Sequence, residues 1–349
     1  MYGAGDFARA VVAAVRRSGG VVRHALDRRG GAASLDGLGV HRPEDDPMSL
    51  VERRTATAVV GVFNRDADPR EIHERLEASG YGRVVGVPEL YEAFGDSLGD
   101  RYWLGSRALY QRSSEPISLA LDLWADAESR ELYQQIVRYR VGWNSVDAPR
   151  PCAGGQYFAD DVPRSTPPLT WVDCGAFDGD TLATIASLGL RVAAAYAFEP
   201  DVTNFARLVT RSREFARTTS AVISLWPCAV AASTGIVRFR GDAGEASSIA
   251  QDGDAVVSAV AIDDVLPATA VTDVKMDIEG AEQEALRGAE QLIRRCRPRL
   301  AICVYHRPQD LWEIPLFVHG LDLQYDFHLR SHGHYGFDVV MYAVPRDAS

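Results

Sequence analysis

The sequence predicts an α/β protein in which a doubly wound sheet with an antiparallel last strand follows a smaller α/β domain. Three observations predict it. From residue 169 onward, short apolar runs alternate regularly with amphipathic stretches, the pattern of βαβ units. The first 110 residues show the same alternation on a smaller scale. Between them lies a helical stretch and then a run dense in proline and glycine, from Asp147 to Pro168. The domains expected are therefore 1–110, a connector and linker over 111–168, and 169–349.

In the first region, residues 7–18 have helical apolar spacing, with Asp6 placed as N-cap and Gly19 just beyond the end. Residues 21–26 read as a strand ending at Asp27, and 56–63 as a strongly apolar strand. Residues 69–79 read as a helix, with Asp68 as N-cap and Pro69 at the first helical position. Gly80 ends it and 83–87 returns as a strand. In the connector, 118–141 reads as one helix carrying Leu119, Leu123, Leu132, Ile136 and Val137. Tyr157 and Phe158 are the aromatic pair of the polar linker, either an anchor onto a domain surface or a wall of a site.

The second region reads as strand 170–173, helix 181–188, strand 193–198, helix 202–213 and strand 222–226. An extra hairpin follows over 236–240 and 256–262. Strand 271–276, helix 281–295, strand 300–304 and a short helix 311–318 come next. Strands 324–330 and 339–344 close the fold, and the short connection between them implies a hairpin with an antiparallel pairing.

Composition narrows the function classes. The 349 residues are 46% hydrophobic and 24% charged, as in globular proteins that stay in solution. A net charge of −11 argues against a nucleic-acid partner or an anionic membrane surface, which need a basic face. No apolar run reaches membrane-spanning length, and Asp6 and Arg9 interrupt the start before any signal-like stretch, so a cytoplasmic protein is expected. The five cysteines lack paired spacing, so neither a disulfide framework nor a zinc site follows.

Chemistry concentrates at four predicted strand ends. The first is Asp173-Cys174-Gly175-Ala176-Phe177-Asp178-Gly179-Asp180-Thr181, between a strand and a helix at the carboxyl edge of the sheet, where open α/β folds bind ligands. Its two glycines let the backbone turn and approach a ligand. Phe177 stands where a dinucleotide fingerprint has its middle glycine, and Asp173, Asp178 and Asp180 crowd the turn. These carboxylates disfavour a diphosphate and suit a ligand bearing an ammonium and a sulfonium, such as the methionine part of S-adenosyl-L-methionine. Glu199, ending the next strand, can accept hydrogen bonds from both hydroxyls of a ribose. In Lys275-Met276-Asp277-Ile278-Glu279-Gly280-Ala281-Glu282, Asp277 and Glu279 are expected to face the cleft, where they could orient an acceptor hydroxyl or take its proton. Lys275 could pair with one of them, and Glu282 suits a helix N-terminus. His306, in Tyr305-His306-Arg307-Pro308, is the expected general base, because a neutral imidazole accepts a proton near pH 7. Asp277 and His306 could instead hold a divalent cation, the less favoured reading, and His332 and His334 are expected in a solvated loop.

These four segments, in order from about Trp171 to Pro345, resemble the FkbM family of S-adenosylmethionine-dependent methyltransferases. The resemblance implies a class I methyltransferase fold and O-methylation of a small-molecule hydroxyl, on a sugar or natural-product intermediate. It implies that Asp173, Gly175, Ala176, Phe177, Gly179 and Thr181 line the cofactor, that Glu199 takes its ribose, and that Asn204 lies near the adenosine. Asp277, Glu279 and His306 would face the acceptor, with Asp277 also beside the cofactor.

The first region resembles the extra Rossmann-like domain found ahead of some such enzymes. Gly3-Ala4-Gly5-Asp6-Phe7-Ala8 and the later Asp27 resemble a nucleotide-binding turn with its acidic partner, but only Met1 and Tyr2 precede the turn, so the leading strand is expected to be missing. The favoured expectation is a degenerate fold for contacts between domains or between subunits of a homo-oligomer. The alternatives are a NAD-binding oxidoreductase or sensor using this turn, and a non-catalytic binding protein.

Overall fold

The computed structural model describes residues 1–30, 34–241, 248–249, 253 and 255–346. The chain divides into two compact units. One comprises Met1–Leu121, Glu128–Cys152 and Arg330–Val339; the other comprises Asp122–Ala127, Ala153–Leu329 and Val340–Ser349.

In the second unit the alternating apolar runs form one sheet of seven strands among the described residues. Its spatial order is Tyr325–Ser331, Val339–Pro345, Arg299–Cys303, Asp273–Met276, Leu169–Cys174, Val192–Phe198 and Val222–Trp226. The last five run parallel to one another. Val339–Pro345 pairs antiparallel with Arg299–Cys303, the expected reversal. Such parallel strands are covered on both faces and read as apolar runs; Trp171, Val172, Leu300 and Ile302 are accordingly buried. The order reverses beside Leu169–Cys174, so the crevice for a ligand opens at the carboxyl ends of that strand and its neighbours. Register puts Asp173 opposite Lys275 on one side and opposite Ala197 on the other.

The expected hairpin is present as Gly235–Arg240 against Ala255–Val260, with Val257 opposite Val237, in a separate small sheet. The helix expected over 281–295 is broken into Glu282–Arg287 and Glu290–Cys296. Gly288 marks the break: a Cβ there would lie 2.1 Å from the Ala231 carbonyl oxygen. Asp263 then restarts the helix, its carboxylate accepting from the Gln291 and Leu292 amides at 2.9 and 2.7 Å. The single helix expected over 118–141 is likewise two, Ser114–Leu121 and Ala127–Gly142.

The first unit holds short parallel strands, Ala25–Leu26 beside Val40–His41 and Thr57–Val59 beside Arg83–Val85. The strand leading into the glycine turn is a single residue: Tyr2 bridges in parallel to Leu26 on one side and to Val60 on the other. The Gly3 amide donates to Leu26 and the Gly61 amide to Tyr2, each at 2.7 Å. The helix that follows is Asp6–Arg17, and its N-cap is Gly5, so Asp6 is the first helical residue and not the cap. Asp68 does cap Pro69–Ala78, accepting from the Arg70 amide at 2.8 Å. No helix among the described residues is long and apolar enough to cross a membrane.

Candidate active site

Four adjacent parallel strands of the second unit deliver the sequence-predicted residues to one edge of the sheet. The turn after Leu169–Cys174 bends through left-handed backbone at Gly175, Phe177 and Gly179, with φ of 80°, 48° and 87°. Gly175 is sterically required, because a Cβ would lie 1.9 Å from the Asp277 carbonyl oxygen. Ala176 is fully buried, and Gly179 opens the helix Asp180–Ser187.

Glu199 closes this turn. Its Oε2 accepts from the Phe177 amide at 2.8 Å and its Oε1 from the Asp201 amide at 2.9 Å. Each carboxylate oxygen keeps a further lone pair. Burial pushes the group up to about 7, although the amides of Asp201 and Phe177 favour its charged form. A carboxylate so poorly solvated is a strong acceptor for hydroxyl donors. Asn204 is buried in the first turn of Val202–Thr219, where its amide donates to the Asp201 carboxylate at 3.0 Å.

The acidic bed expected for a cationic ligand is largely committed to the protein itself. Asp173 is fully buried and pairs with Lys275 Nζ at 3.1 Å. Burial lifts its carboxyl to about 6 against the pull of Lys275. Lys275 also donates to the Gly175 carbonyl at 2.5 Å, so this pair pins the turn to the neighbouring strand. Asp178 pairs with Arg211 at 2.6 Å, and Asp180 accepts from the Thr181 amide at 2.7 Å. Thr181, buried, holds to Asp180 through its hydroxyl as well. Asp173 is therefore an organiser of the turn, and Lys275 pairs with it in place of Asp277 or Glu279.

Asp277, Glu279 and His306 come together at the next two strand ends. His306 Nε2 lies 3.2 Å from Asp277 Oδ1 and 3.4 Å from Glu279 Oε1. Its Nδ1 lies 2.8 Å from Glu282 Oε1. Burial opposes a charge on the imidazole, but Glu282, Glu279 and Asp277 outweigh it and hold the ring protonated well above its ordinary range. Three carboxylates surround the ring and favour its charged form over the neutral imidazole expected of a general base. For Asp277, burial would raise the carboxyl, yet His306, Lys275 and Tyr157 hold it below the usual carboxylate range. Glu279 is pushed upward by burial. It stands in left-handed backbone at φ 55° and its side chain is 18% exposed, so it remains reachable.

Tyr157 completes the cluster. Its hydroxyl donates to Asp277 Oδ2 at 2.5 Å, and its ring lies 5.1 Å from Lys275 Nζ. Of the two readings of the aromatic pair in the linker, the wall of the site is the one the contacts support for Tyr157. Phe158 stacks on Trp171 at 5.3 Å as an anchor. Glu282, read from sequence as a helix-terminus charge, does accept from the Ile278 amide at 2.8 Å, but also binds His306.

Residues 173–334 match the model of the methyltransferase FkbM domain. The fold is similar to that of the methyltransferase FkbM from Methylobacillus flagellatus KT, with a TM-score of 0.78 and 22% identity, covering 98% of this chain and 88% of that one. A putative rRNA-methylase from Clostridium thermocellum aligns far more loosely, with a TM-score of 0.34 and 10% identity over 52% of this chain and 88% of that one. No curated protein matches the chain in sequence.

Proposed function

We propose that this chain, whose residues 173–334 match the model of the methyltransferase FkbM domain, is an S-adenosylmethionine-dependent O-methyltransferase acting on a hydroxyl of a small molecule, a sugar or natural-product intermediate, in the cytoplasm. The observation that carries the reading is Glu199, a buried carboxylate held by the Phe177 amide at the mouth of the glycine turn. S-adenosylmethionine, when bound, supplies a methyl group already activated by its sulfonium. Glu199 would hold the ribose, and the Gly175–Gly179 backbone would let the rest of the cofactor approach closely.

Methyl transfer then needs an acceptor oxygen placed in line and a destination for its proton. Asp277 and Glu279 supply the oxygens that orient the acceptor hydroxyl. Glu279 would take the acceptor proton, because burial shifts its carboxylate upward and it stays partly exposed, whereas Asp277 beside it is held low. His306 keeps its own proton throughout. It neutralises part of the charge on Asp277, Glu279 and Glu282 and fixes their positions, a positioning role in place of the base role expected from sequence.

A second reading has one observation behind it. Asp277, Glu282 and His306 offer ligand atoms that all lie within 4.8 Å of one another. A divalent cation there would displace the imidazole proton. The five free thiols are in keeping with a reducing compartment. The deciding experiment is transfer of labelled methyl from S-adenosylmethionine to a panel of hydroxyl compounds, with S-adenosylhomocysteine binding measured in parallel. Binding and a methyl ether product are expected. Failure to bind S-adenosylhomocysteine overturns the reading.

A further inference from the structure

The first unit contains a cavity of about 610 Å³ that the methyl-transfer reading does not use, and all its lining residues belong to that unit. Its size is that of a small-molecule site. It sits at the Gly3-Ala4-Gly5 turn, where Tyr2 bridges to Leu26 on one side and Val60 on the other. This is the reversal point of the unit's parallel strand order, the place where doubly wound folds bind ligands.

Each position of the turn is shaped for close approach. Gly3 has φ +106°, and a Cβ there would lie 2.7 Å from Val62. Gly5 has nothing within 4 Å of its Cβ position, leaving that side open. Ala8 is fully buried, and its Cα lies 3.0 Å from where Gly61 would carry a Cβ, so helix and strand pack backbone to backbone. Tight turn, open backbone and close packing at these three spacings are the physical content of a nucleotide fingerprint.

Asp27 repeats the construction of Glu199. Its Oδ2 accepts from the Ala4 amide in the turn at 3.1 Å, and its Oδ1 from the Arg29 amide two residues on at 2.9 Å. Glu199 accepts from the turn amide of Phe177 and from Asp201, also two residues on. Both acids end the strand next to a glycine turn, and both keep free lone pairs for vicinal hydroxyls. Unpartnered buried polar atoms on the lining are a second observation that points to a polar ligand. Tyr2 lines the cavity at 4% exposure, and its buried hydroxyl has no hydrogen-bond partner among the described residues. His334 Nδ1, on another lining residue, is in the same condition.

The two turns differ in what they would hold beyond a ribose. At Gly175 the central position is Phe177 and the turn is acidic. Here it is the bare Gly5, and the helix Asp6–Arg17 starts without a side-chain cap, so its first amides stay open to an anion. Arg28, Arg29 and Arg101 line the cavity beside Asp6, Asp27, Asp66, Asp68 and Glu71, with Arg28 lying 3.7 Å from Glu71 and Arg29 3.8 Å from Asp27, so the open helix amides at Gly5 are the main draw for an anion. We propose that the first unit binds a ribonucleoside diphosphate at this turn, with the ribose on Asp27 and the diphosphate over Gly5.

The test is calorimetric titration of the full chain with ADP, UDP and NAD⁺, each in the presence of saturating S-adenosylhomocysteine to block the second unit. At least one is expected to bind at sub-millimolar concentration, and which one binds separates a free or sugar-linked nucleoside diphosphate from a dinucleotide. Gly5→Val and Asp27→Ala should each weaken that binding by about tenfold or more, which is about 1.4 kcal/mol, with S-adenosylhomocysteine affinity unchanged. Gly5 has φ −84° and ψ −171°, which valine adopts freely, so that variant keeps the test open if Asp27→Ala does not fold. Glu199→Ala should leave this binding intact. No binding of any of the three at millimolar concentration, or binding that both variants leave unchanged, overturns the proposal. The outcome does not depend on the methyl-donor reading, since S-adenosylhomocysteine serves here only to remove competition.

Discussion

The Tyr157 hydroxyl and the Asp277 carboxylate share a 2.5 Å hydrogen bond that joins the linker to the strand end at the crevice. Hydrogen bonds to a charged group contribute about 1.5–3 kcal/mol. Tyr157→Phe is expected to lower kcat by about tenfold or more, with S-adenosylhomocysteine affinity nearly unchanged. A kcat equal to wild type would show that Asp277 is positioned by His306 alone.

Glu199→Ala should weaken S-adenosylhomocysteine binding by about tenfold to a hundredfold, the loss of hydrogen bonds to a charged acceptor. Because burial raises this carboxyl to about 7, wild-type affinity should strengthen as pH climbs through 7 and the acceptor form fills. The stability effect runs the other way. An acid raised in the folded state binds more protons folded than unfolded, so its contribution to stability falls as pH rises from its ordinary value to about 7. Glu199→Gln should flatten both dependences, which titration calorimetry and thermal melts across pH 5–8.5 would read.

His306→Gln removes the positive charge shared by three carboxylates. Breaking a buried ion pair costs about 3–5 kcal/mol, so a lower melting temperature is expected together with a fall in kcat. The folded imidazole is held above its ordinary value, so its stabilisation is complete below that value and is lost as pH rises through the folded one. The gap in melting temperature between wild type and variant should therefore narrow at alkaline pH. Retained activity in a chelator is expected; abolished activity would favour the cation at Asp277, Glu282 and His306.

Lys275→Met strands Asp173 in the core, and a loss of about 3–5 kcal/mol of stability is expected in denaturant titration. Adding Asp173→Asn should restore part of it, because no unpaired charge then remains buried. Equal losses in the single and double variants would show that the pair does not organise the turn.

What was legible in the sequence was local. The glycine turn, the strand-end acids and the reversed last strand all declare themselves within a few residues. The partners of those residues did not. Tyr157 lies 120 positions from Asp277, and only the folded linker brings them together. Lys275 meets Asp173 because strand register sets them side by side, which no motif encodes. Three carboxylates converge on the His306 ring from separate segments, and its residue type alone does not reveal them. The break at Gly288 depends on contact with Ala231, far away in sequence. The one-residue strand at Tyr2 is too short for any periodicity to reveal.

The way the chain is apportioned has a consequence for dissecting it. The first unit takes Arg330–Val339 from near the end, and the second takes Asp122–Ala127 from before the linker. A single peptide-bond cut therefore cannot release both units whole. Cleavage after Cys152 leaves one fragment without Arg330–Val339 and the other without Asp122–Ala127. Separated fragments should each fold less stably than the intact chain, since each lacks a segment of its own unit.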